Sequence, residues 1–260
     1  MGDWSLSENQ TLLEVIMPAY KKSGTIVETV ARLQSVLNEA GIDFKIHIVV
    51  DGPDELTVNA LKPFENSQIR VSIFPVNRGK GSALRFGVSQ SVSKYLAFLD
   101  ADLDIHPGSI IVGLRCLENT ESNGLVCAYG SKFSIGSTVT YPILRRLASR
   151  IYRLLVRVLF RLDVEDSQTG LKVFEAKAIQ GVIDQSVEQR FLFDLEIFSL
   201  LSKKGYFFVP IPVALDYQYS STIGVSATYS MIVGPVRLAW RTKNQASWSR
   251  KRKALNLTDV

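Results

Sequence analysis

From residue 13 to residue 104 the chain alternates short apolar runs with stretches of helical period, and few folds accommodate that order. Leu13 to Met17 is an apolar run closed by Pro18. Thr25 to Ala40 carries Ile26, Val30, Leu33, Val36 and Leu37 at helical spacing, and Gly41 is a suitable residue to stop it. Phe44 to Val50 and Ile69 to Phe74 read as strands, Gly81 to Ser93 as a helix, and Tyr95 to Leu99 as a further strand. This β-α-β-α-β order predicts an α/β fold, a mostly parallel sheet with helices on both faces. Such sheets bind ligands at the carboxyl ends of their strands. The residues to inspect are therefore Pro18-Ala19-Tyr20, Asp51-Gly52 and Asp100-Ala101-Asp102.

The Tyr95 strand ends in Asp100, Asp102 and Asp104. An extended backbone would point these alternate carboxylates the same way. Like charges so close together cost free energy unless something neutralises them, and a hard divalent cation that also holds phosphates is the usual answer. A solvated strand end or Asp-rich turn is the plainer alternative. Asn77-Arg78-Gly79-Lys80-Gly81 lies just before a helix, where glycines allow close backbone approach and the helix N-terminus favours anions. It matches neither standard glycine-rich phosphate motif, because position 84 is Leu.

At 260 residues, 46% hydrophobic and 21% charged, the chain can bury a large core. Its two cysteines, Cys116 and Cys127, form no metal spacing and no disulfide framework. With only His47 and His106, a histidine metal site or a Ser-His-Asp triad is poorly supplied. No signal peptide is expected, since the N-terminus lacks a basic region followed by an apolar run. No stretch approaches the roughly 18 consecutive apolar residues of a membrane span. The net charge of +5 is unevenly spread: seven Lys or Arg and no acid lie between Glu121 and Asp163, and no acid lies between Asp216 and Asp259. That asymmetry suits a nucleic acid, a phosphorylated ligand or an anionic membrane.

Within 141–162, Arg146, Arg150, Arg153, Arg157 and Arg161 recur at spacings of four, three, four and four, one stripe of a helix whose remainder is largely Leu, Ile and Val. Such a helix fits a membrane interface, with arginines towards lipid phosphates, or a core-packed helix with paired arginines. A second basic segment, Tyr229 to Lys253, interleaves Met231, Ile232, Val233, Val236, Leu238, Trp240 and Trp248 with Arg and Lys and favours the membrane. The expected organisation is a catalytic domain over 1–220 and a basic amphipathic extension over 221–260.

Taken in order, Val15-Ile16-Met17-Pro18-Ala19-Tyr20, Val49-Val50-Asp51-Gly52, Asn77 to Ala83, Asp100-Ala101-Asp102-Leu103, Gly130-Ser131-Lys132, Asp166-Ser167-Gln168-Thr169-Gly170-Leu171-Lys172 and Phe193-Asp194-Leu195-Glu196 resemble an inverting family-2 glycosyltransferase of GT-A (Rossmann-like) fold. More narrowly they resemble the polyprenyl-phosphate group, the dolichyl-phosphate mannose synthases and glucosyltransferases, over roughly residues 12 to 220. The resemblance implies that Pro18, Ala19 and Tyr20 border the nucleotide base and that Asp51 bonds base or ribose. It gives Asp100 and Asp102, with Asp104 as helper, the divalent metal (Mg²⁺ or Mn²⁺) and the diphosphate, beside Ala101 and Lys80. Lys132 and Arg145, with Arg150 as a further candidate, would meet the acceptor phosphate. Asp166, Gln168 and Lys172 would line the floor, and Arg190, Asp194 and Glu196 would sit near the sugar. The chain departs from the family pattern in Lys21-Lys22 for Asn-Glu, Val50-Asp51 for a paired Asp, and Lys132 for Arg. The C-terminal transmembrane helices of some relatives are not expected from this sequence. The first two departures bear on nucleotide preference, and the third loses bidentate phosphate binding while keeping the charge.

The implied reaction moves a hexose from a UDP-glucose or GDP-mannose type donor to a polyprenyl or dolichyl monophosphate. A phosphate acceptor has a second pKa near 6 and needs positioning more than deprotonation. A hydroxyl acceptor would need a carboxylate base, for which Asp194 or Glu196 could serve. Two alternatives stand beside the phosphate reading: a family-2 enzyme with a hydroxyl acceptor, and a nucleotide-sugar-binding scaffold. Nucleic acid is not an expected partner, since no helix-turn-helix, RNA-recognition or zinc spacing appears. The expected placement is cytoplasmic, peripheral on the cytoplasmic face of a membrane, and a homo-oligomer is compatible with the sequence.

Overall fold

A computed structural model describes residues 11–102, 104–120, 124–134, 143–214 and 233–242, with side chains from residue 150 onward in the helix that begins at 143. Residues 1–140 with 165–218 make one compact unit, and 141–164 with 219–260 make another.

The first unit is built on β1 (Leu13–Ala19), β2 (Phe44–Val50), β3 (Ile69–Ile73), β4 (Tyr95–Phe98), β5 (Leu125–Ser131), β6 (Lys172–Glu175) and β7 (Phe207–Pro212). They form one seven-stranded sheet in the order β3-β2-β1-β4-β6-β5-β7. β1 through β4 are mutually parallel, β6 runs against β4 and β5, and β7 runs parallel to β5. The helices are α1 (Ile26–Glu39), α2 (Glu55–Leu61), α3 (Lys80–Gln90), α4 (Gly108–Glu118), α6 (Ala176–Ile183) and α7 (Phe193–Lys203). The mixed, mostly parallel sheet flanked by helices is the architecture the strand–helix alternation predicts.

Period-two alternation sorts each strand's side chains between two layers. Leu13, Val15, Met17 and Ala19 of β1 join Ile26, Val30, Leu33 and Leu37 of α1 and Ile110 and Leu114 of α4 in one core. The opposite face carries Ile16, against which α3 packs so closely that a Cβ on Gly87 would lie 2.4 Å from Ile16 Cγ2. There too Phe98 meets Phe174 and Phe193, and Phe198 meets Tyr129. Under α3 the face is polar at one point. Glu14 accepts from Ser91 Oγ and Arg70, and Arg70 donates to His47 Nδ1 at 2.9 Å. Arginine can only donate, so the His47 proton sits on Nε2 and is given to Ser72 Oγ at 2.9 Å. Burial and the Arg70 charge hold the His47 imidazole down at about 4, neutral at ordinary pH.

β1 is the pivot. Its crossover through α1 leads to β2 on one side, while β4 lies on the other, so the order reverses between β2 and β4. A crevice opens where such a reversal occurs, above the carboxyl ends of the strands.

In the second unit, α5 (Ile143–Phe160) and a helix over 233–242, here α8, are described. Ile151, Leu154 and Val158 are exposed at i, i+3 and i+7 on α5, beside exposed Arg150 and Arg157. Val156 is buried on another face. α8 repeats the pattern, with Val233, Val236 and Trp240 exposed and Leu238 buried. Arg153 pairs with Asp163 at 3.8 Å. No described helix is long and apolar enough to cross a membrane.

Candidate active site

The crevice is a pocket of about 670 Å³ at the reversal point. β1 delivers Pro18, Ala19 and Tyr20 to it, β2 delivers Asp51, and the residues after β4 deliver Asp100, Ala101 and Asp102. Lys80 enters from the first turn of α3, Gln168 from the segment before β6, Arg190 and Phe191 from the segment before α7, and Asp194 from the first turn of α7.

The backbone after β4 corrects one sequence expectation. The strand stops at Phe98, and Ala101 and Asp102 lie in a turn. The three carboxylates are therefore not an extended alternating row. Aspartate is poorly suited to a strand, and each of the first two acids is paired with a lysine. Lys80 Nζ lies 2.6 Å from Asp100, and Lys22 Nζ lies 3.5 Å from Asp102. Asp100 and Asp102 still share the pocket, while Asp104 is outside its lining. Burial and the neighbouring Asp102 raise the Asp104 carboxyl. Burial alone would also raise Asp100, but the ammonium groups of Lys80, Lys172 and Lys22 override it and hold that carboxyl low. Lys80 shows the converse: burial works against its charge, yet Asp100 and Asp194 lift it above the usual lysine range.

Behind Lys80 lies a second, deeper pair. Lys172 is 1% exposed on β6, and its Nζ sits 2.9 Å from Asp194 Oδ1, with Asp194 4% exposed. The other Asp194 oxygen is 3.9 Å from Lys80. Charges thus alternate Lys172, Asp194, Lys80, Asp100 from the sheet interior to the pocket floor. Two glycines make room for them. A Cβ on Gly170 would sit 2.3 Å from Asp100 Oδ2. Gly79 has φ +94°, and a Cβ there would lie 2.3 Å from the Gln189 carbonyl oxygen, so the segment carrying Arg190 can close over the start of α3.

Asp51 is 3% exposed and latches that same turn. Its carboxylate accepts from the Arg78 N–H at 2.6 Å and the Gly79 N–H at 2.8 Å, while Asn77 Nδ2 bonds its carbonyl. Glu196 does not line the pocket. It lies two residues beyond Asp194, on the far side of α7. Its Oε2 accepts from Ser186 Oγ and the N–H groups of Val187 and Glu188, fixing the segment that leads to Arg190. Asp166 and Lys132 also lie outside the pocket lining, Lys132 near enough to Asp104 to offset part of the rise in its carboxyl. Arg150 is exposed on α5, in the second unit. The Arg145 side chain, Leu103, Met231, Ile232, residues 216–221 and Trp248 to Lys253 lie outside the described residues.

Lys22, Asn77, Gly79 and Phe191 line the pocket without having been singled out as site residues from sequence. The doubled lysine at a strand-to-helix corner was the available signal for Lys22. Phe191, an exposed aromatic beside Arg190, carried none.

Lysine-paired carboxylates at the carboxyl-end crevice of a doubly wound sheet make a site for a phosphate-bearing ligand. Residues 14–181 match the family model described as Glycosyl transferase family 2. The chain belongs to that family.

It is 23% identical over 258 residues to the dolichyl-phosphate beta-glucosyltransferase ALG5C of Trichomonas vaginalis, covering 92% of this chain and 76% of that one. It is 28% identical over 228 residues to the dolichyl-phosphate beta-glucosyltransferase of Saccharomyces cerevisiae, covering 80% and 67%. In fold it is similar to glucosyl-3-phosphoglycerate synthase from Mycobacterium tuberculosis, solved with Mn²⁺, uridine diphosphate and phosphoglyceric acid. The TM-score is 0.66 at 16% identity, over 88% of this chain and 78% of that one.

Proposed function

We propose that the protein transfers a glucosyl unit from a UDP-sugar to a dolichyl or polyprenyl monophosphate at a membrane surface. One observation carries the choice of a phosphate acceptor over a hydroxyl. Each carboxylate lining the pocket is already engaged: Asp100 by Lys80, Asp102 by Lys22, Asp194 by Lys172, and Asp51 by two backbone N–H groups. A hydroxyl nucleophile needs a carboxylate or imidazole base poised near neutral pH. A phosphate monoester is already ionised there. The names of the dolichyl-phosphate relatives point the same way.

In this reading Pro18, Ala19 and Tyr20 border the base, Asp51 meets base or ribose, and Lys80 and Arg190 face the diphosphate and sugar. Gln168 shapes the floor, and Lys132 orients the acceptor phosphate. Asp100 and Asp102, with Asp104 nearby, would hold a divalent cation, Mg²⁺ or Mn²⁺. The donor set fits. Among the described residues no cluster of three His, Cys, Asp or Glu could cage a metal, and Mg²⁺ usually takes one or two carboxylates and completes its shell from phosphates and water. Such an ion supplies charge neutralisation on the departing diphosphate. The residues themselves bind and align the reactants. The Gly79 turn, held by Asp51, sets Lys80; Glu196 sets the segment bearing Arg190; Lys172 pairs with Asp194 beneath Lys80.

The membrane part of the reading rests on α5 and α8, each with an exposed apolar stripe. Apolar surface flanked by arginines favours an interface carrying anionic headgroups. A direct test incubates the purified protein with dolichyl phosphate, Mg²⁺ or Mn²⁺, and labelled UDP-glucose or GDP-mannose, followed by organic extraction. Label from UDP-glucose in the organic phase is the expected result. Transfer only to a water-soluble hydroxyl would overturn the acceptor, and label only from GDP-mannose would overturn the donor.

A further inference from the structure

We propose that Lys22 is a donor-binding residue, a resident cation that lets this site hold a nucleoside diphosphate without a divalent metal. The inference rests on the donor-pocket reading above.

Three observations carry it. The first is placement. Lys22 lines the same pocket as Asp100, Asp102 and Lys80, and its Nζ is 3.5 Å from Asp102 Oδ2. The second is a fixed backbone under a free head. Lys21 takes φ +54° and donates its N–H to Asp54 Oδ2 at 2.7 Å. Lys22 donates its N–H to Thr57 Oγ1 at 3.0 Å, and its carbonyl accepts from the N–H groups of Thr25 and Ile26 at the start of α1. Asp54 and Thr57 are themselves tied together at the start of α2. A non-glycine residue in left-handed backbone persists only where the surroundings enforce it. The corner is built, and it aims the lysine stem into the pocket. The head is about one-third exposed, as is Asp102, so the pair can open towards a ligand with little desolvation cost.

The third is charge balance. Among the described residues, four carboxylates line the pocket: Asp51, Asp100, Asp102 and Asp194. Lys22, Lys80 and Arg190 line it too, and Lys172 sits directly on Asp194, so four cations meet four anions. A diphosphate entering this neutral site meets two lysines that can turn from carboxylate to phosphate oxygens. A glutamate at position 22 would leave two negative charges in excess, the charge of one divalent cation. The same anion would then be repelled until a metal arrived. A bound metal would release Lys22 and Lys80 from Asp102 and Asp100, so the lysines and the metal act on the same charges.

Calorimetry with the full chain tests this without turnover. UDP and uridine are titrated in EDTA and again in Mn²⁺, into wild type, Lys22→Met, Lys22→Arg and Lys22→Glu. Wild type should bind UDP measurably in EDTA. Lys22→Met should weaken that binding about tenfold, Lys22→Glu more, and Lys22→Arg little, with uridine affinity unchanged throughout. Mn²⁺ should restore UDP binding most in Lys22→Glu. UDP binding by wild type only with Mn²⁺, or equal UDP affinity of wild type and Lys22→Met in EDTA, would overturn the role of Lys22 and leave the donor pocket standing. No UDP binding under either condition would overturn both.

Discussion

The Lys172–Asp194 pair offers the sharpest test of how this site is held. Both side chains are almost wholly buried and 2.9 Å apart, and Lys172 otherwise has the Thr169 carbonyl and the Phe198 ring, 5.9 Å away, as neighbours. Asp194→Asn keeps the shape but leaves an ammonium with no adjacent carboxylate at its end of the pocket. Breaking a buried pair from one side costs about 3–5 kcal/mol. For a chain of this size each kcal/mol moves Tm by about 2–4 °C, so the variant should melt about 6–20 °C below wild type. Removing both charges is different in kind. Asp194→Leu with Lys172→Met replaces the pair by apolar groups and should recover most of the loss, because neither desolvated charge remains. The double variant should still lose donor affinity, since Lys80 loses its second carboxylate. Urea unfolding followed by far-ultraviolet circular dichroism measures all the variants. A single variant within about 1 kcal/mol of wild type, or a double variant no more stable than the single, would refute the argument that this pair is a mutually dependent buried unit.

Three further outcomes follow from the geometry. Because His47 is held at about 4, below the usual histidine 6.5, the unfolded chain takes up its proton first as pH falls. Stability at His47 is therefore full above pH 6.5 and declines towards pH 4 by about 3 kcal/mol, and His47→Gln should remove that part of the slope in urea titrations at pH 7 and pH 4.5. An unchanged slope would show that other groups govern the acid response. Gly170→Ala drives a methyl to 2.3 Å from Asp100 Oδ2, so kcat/KM should fall at least about tenfold with little change in Tm; undiminished turnover would separate Asp100 from the rate. Leu154→Ser with Val158→Ser strips the exposed stripe of α5 and should weaken sedimentation with anionic vesicles about tenfold or more, whereas equal binding would assign membrane contact elsewhere.

The parallel half of the sheet was readable because β1, β2 and β4 are largely buried apolar runs and α1 keeps a clean helical period. The antiparallel half was harder to see. β6 spans four residues and begins at Lys172, so the residue that most marks its interior reads in sequence as a surface charge. Only the ion pair with Asp194 makes that burial affordable, and the pairing is a product of tertiary structure. The turn at Ala101–Asp102 is the plainer of the two readings the sequence offered, and local alternation alone could not choose it over an extended end.

The same distinction separates the site residues. Those at strand ends were legible, because a parallel sheet brings the ends of β1, β2 and β4 to one crevice whatever their neighbours. Asp194 and Glu196 could not be told apart by motif, yet α-helical geometry alone divides them: two residues apart, they face away from each other, so one reaches the pocket and the other braces the 186–188 segment. Lys22 stood out only as a departure from a pattern. Its meaning comes from the sum of charges around it, which no single motif contains. Where the family pattern the chain resembles has an acid, a lysine beside Asp102 shifts the pocket's charge by two, which favours a diphosphate that carries no metal. Both carboxylates remain, so a divalent cation and the lysines would compete for the same charges.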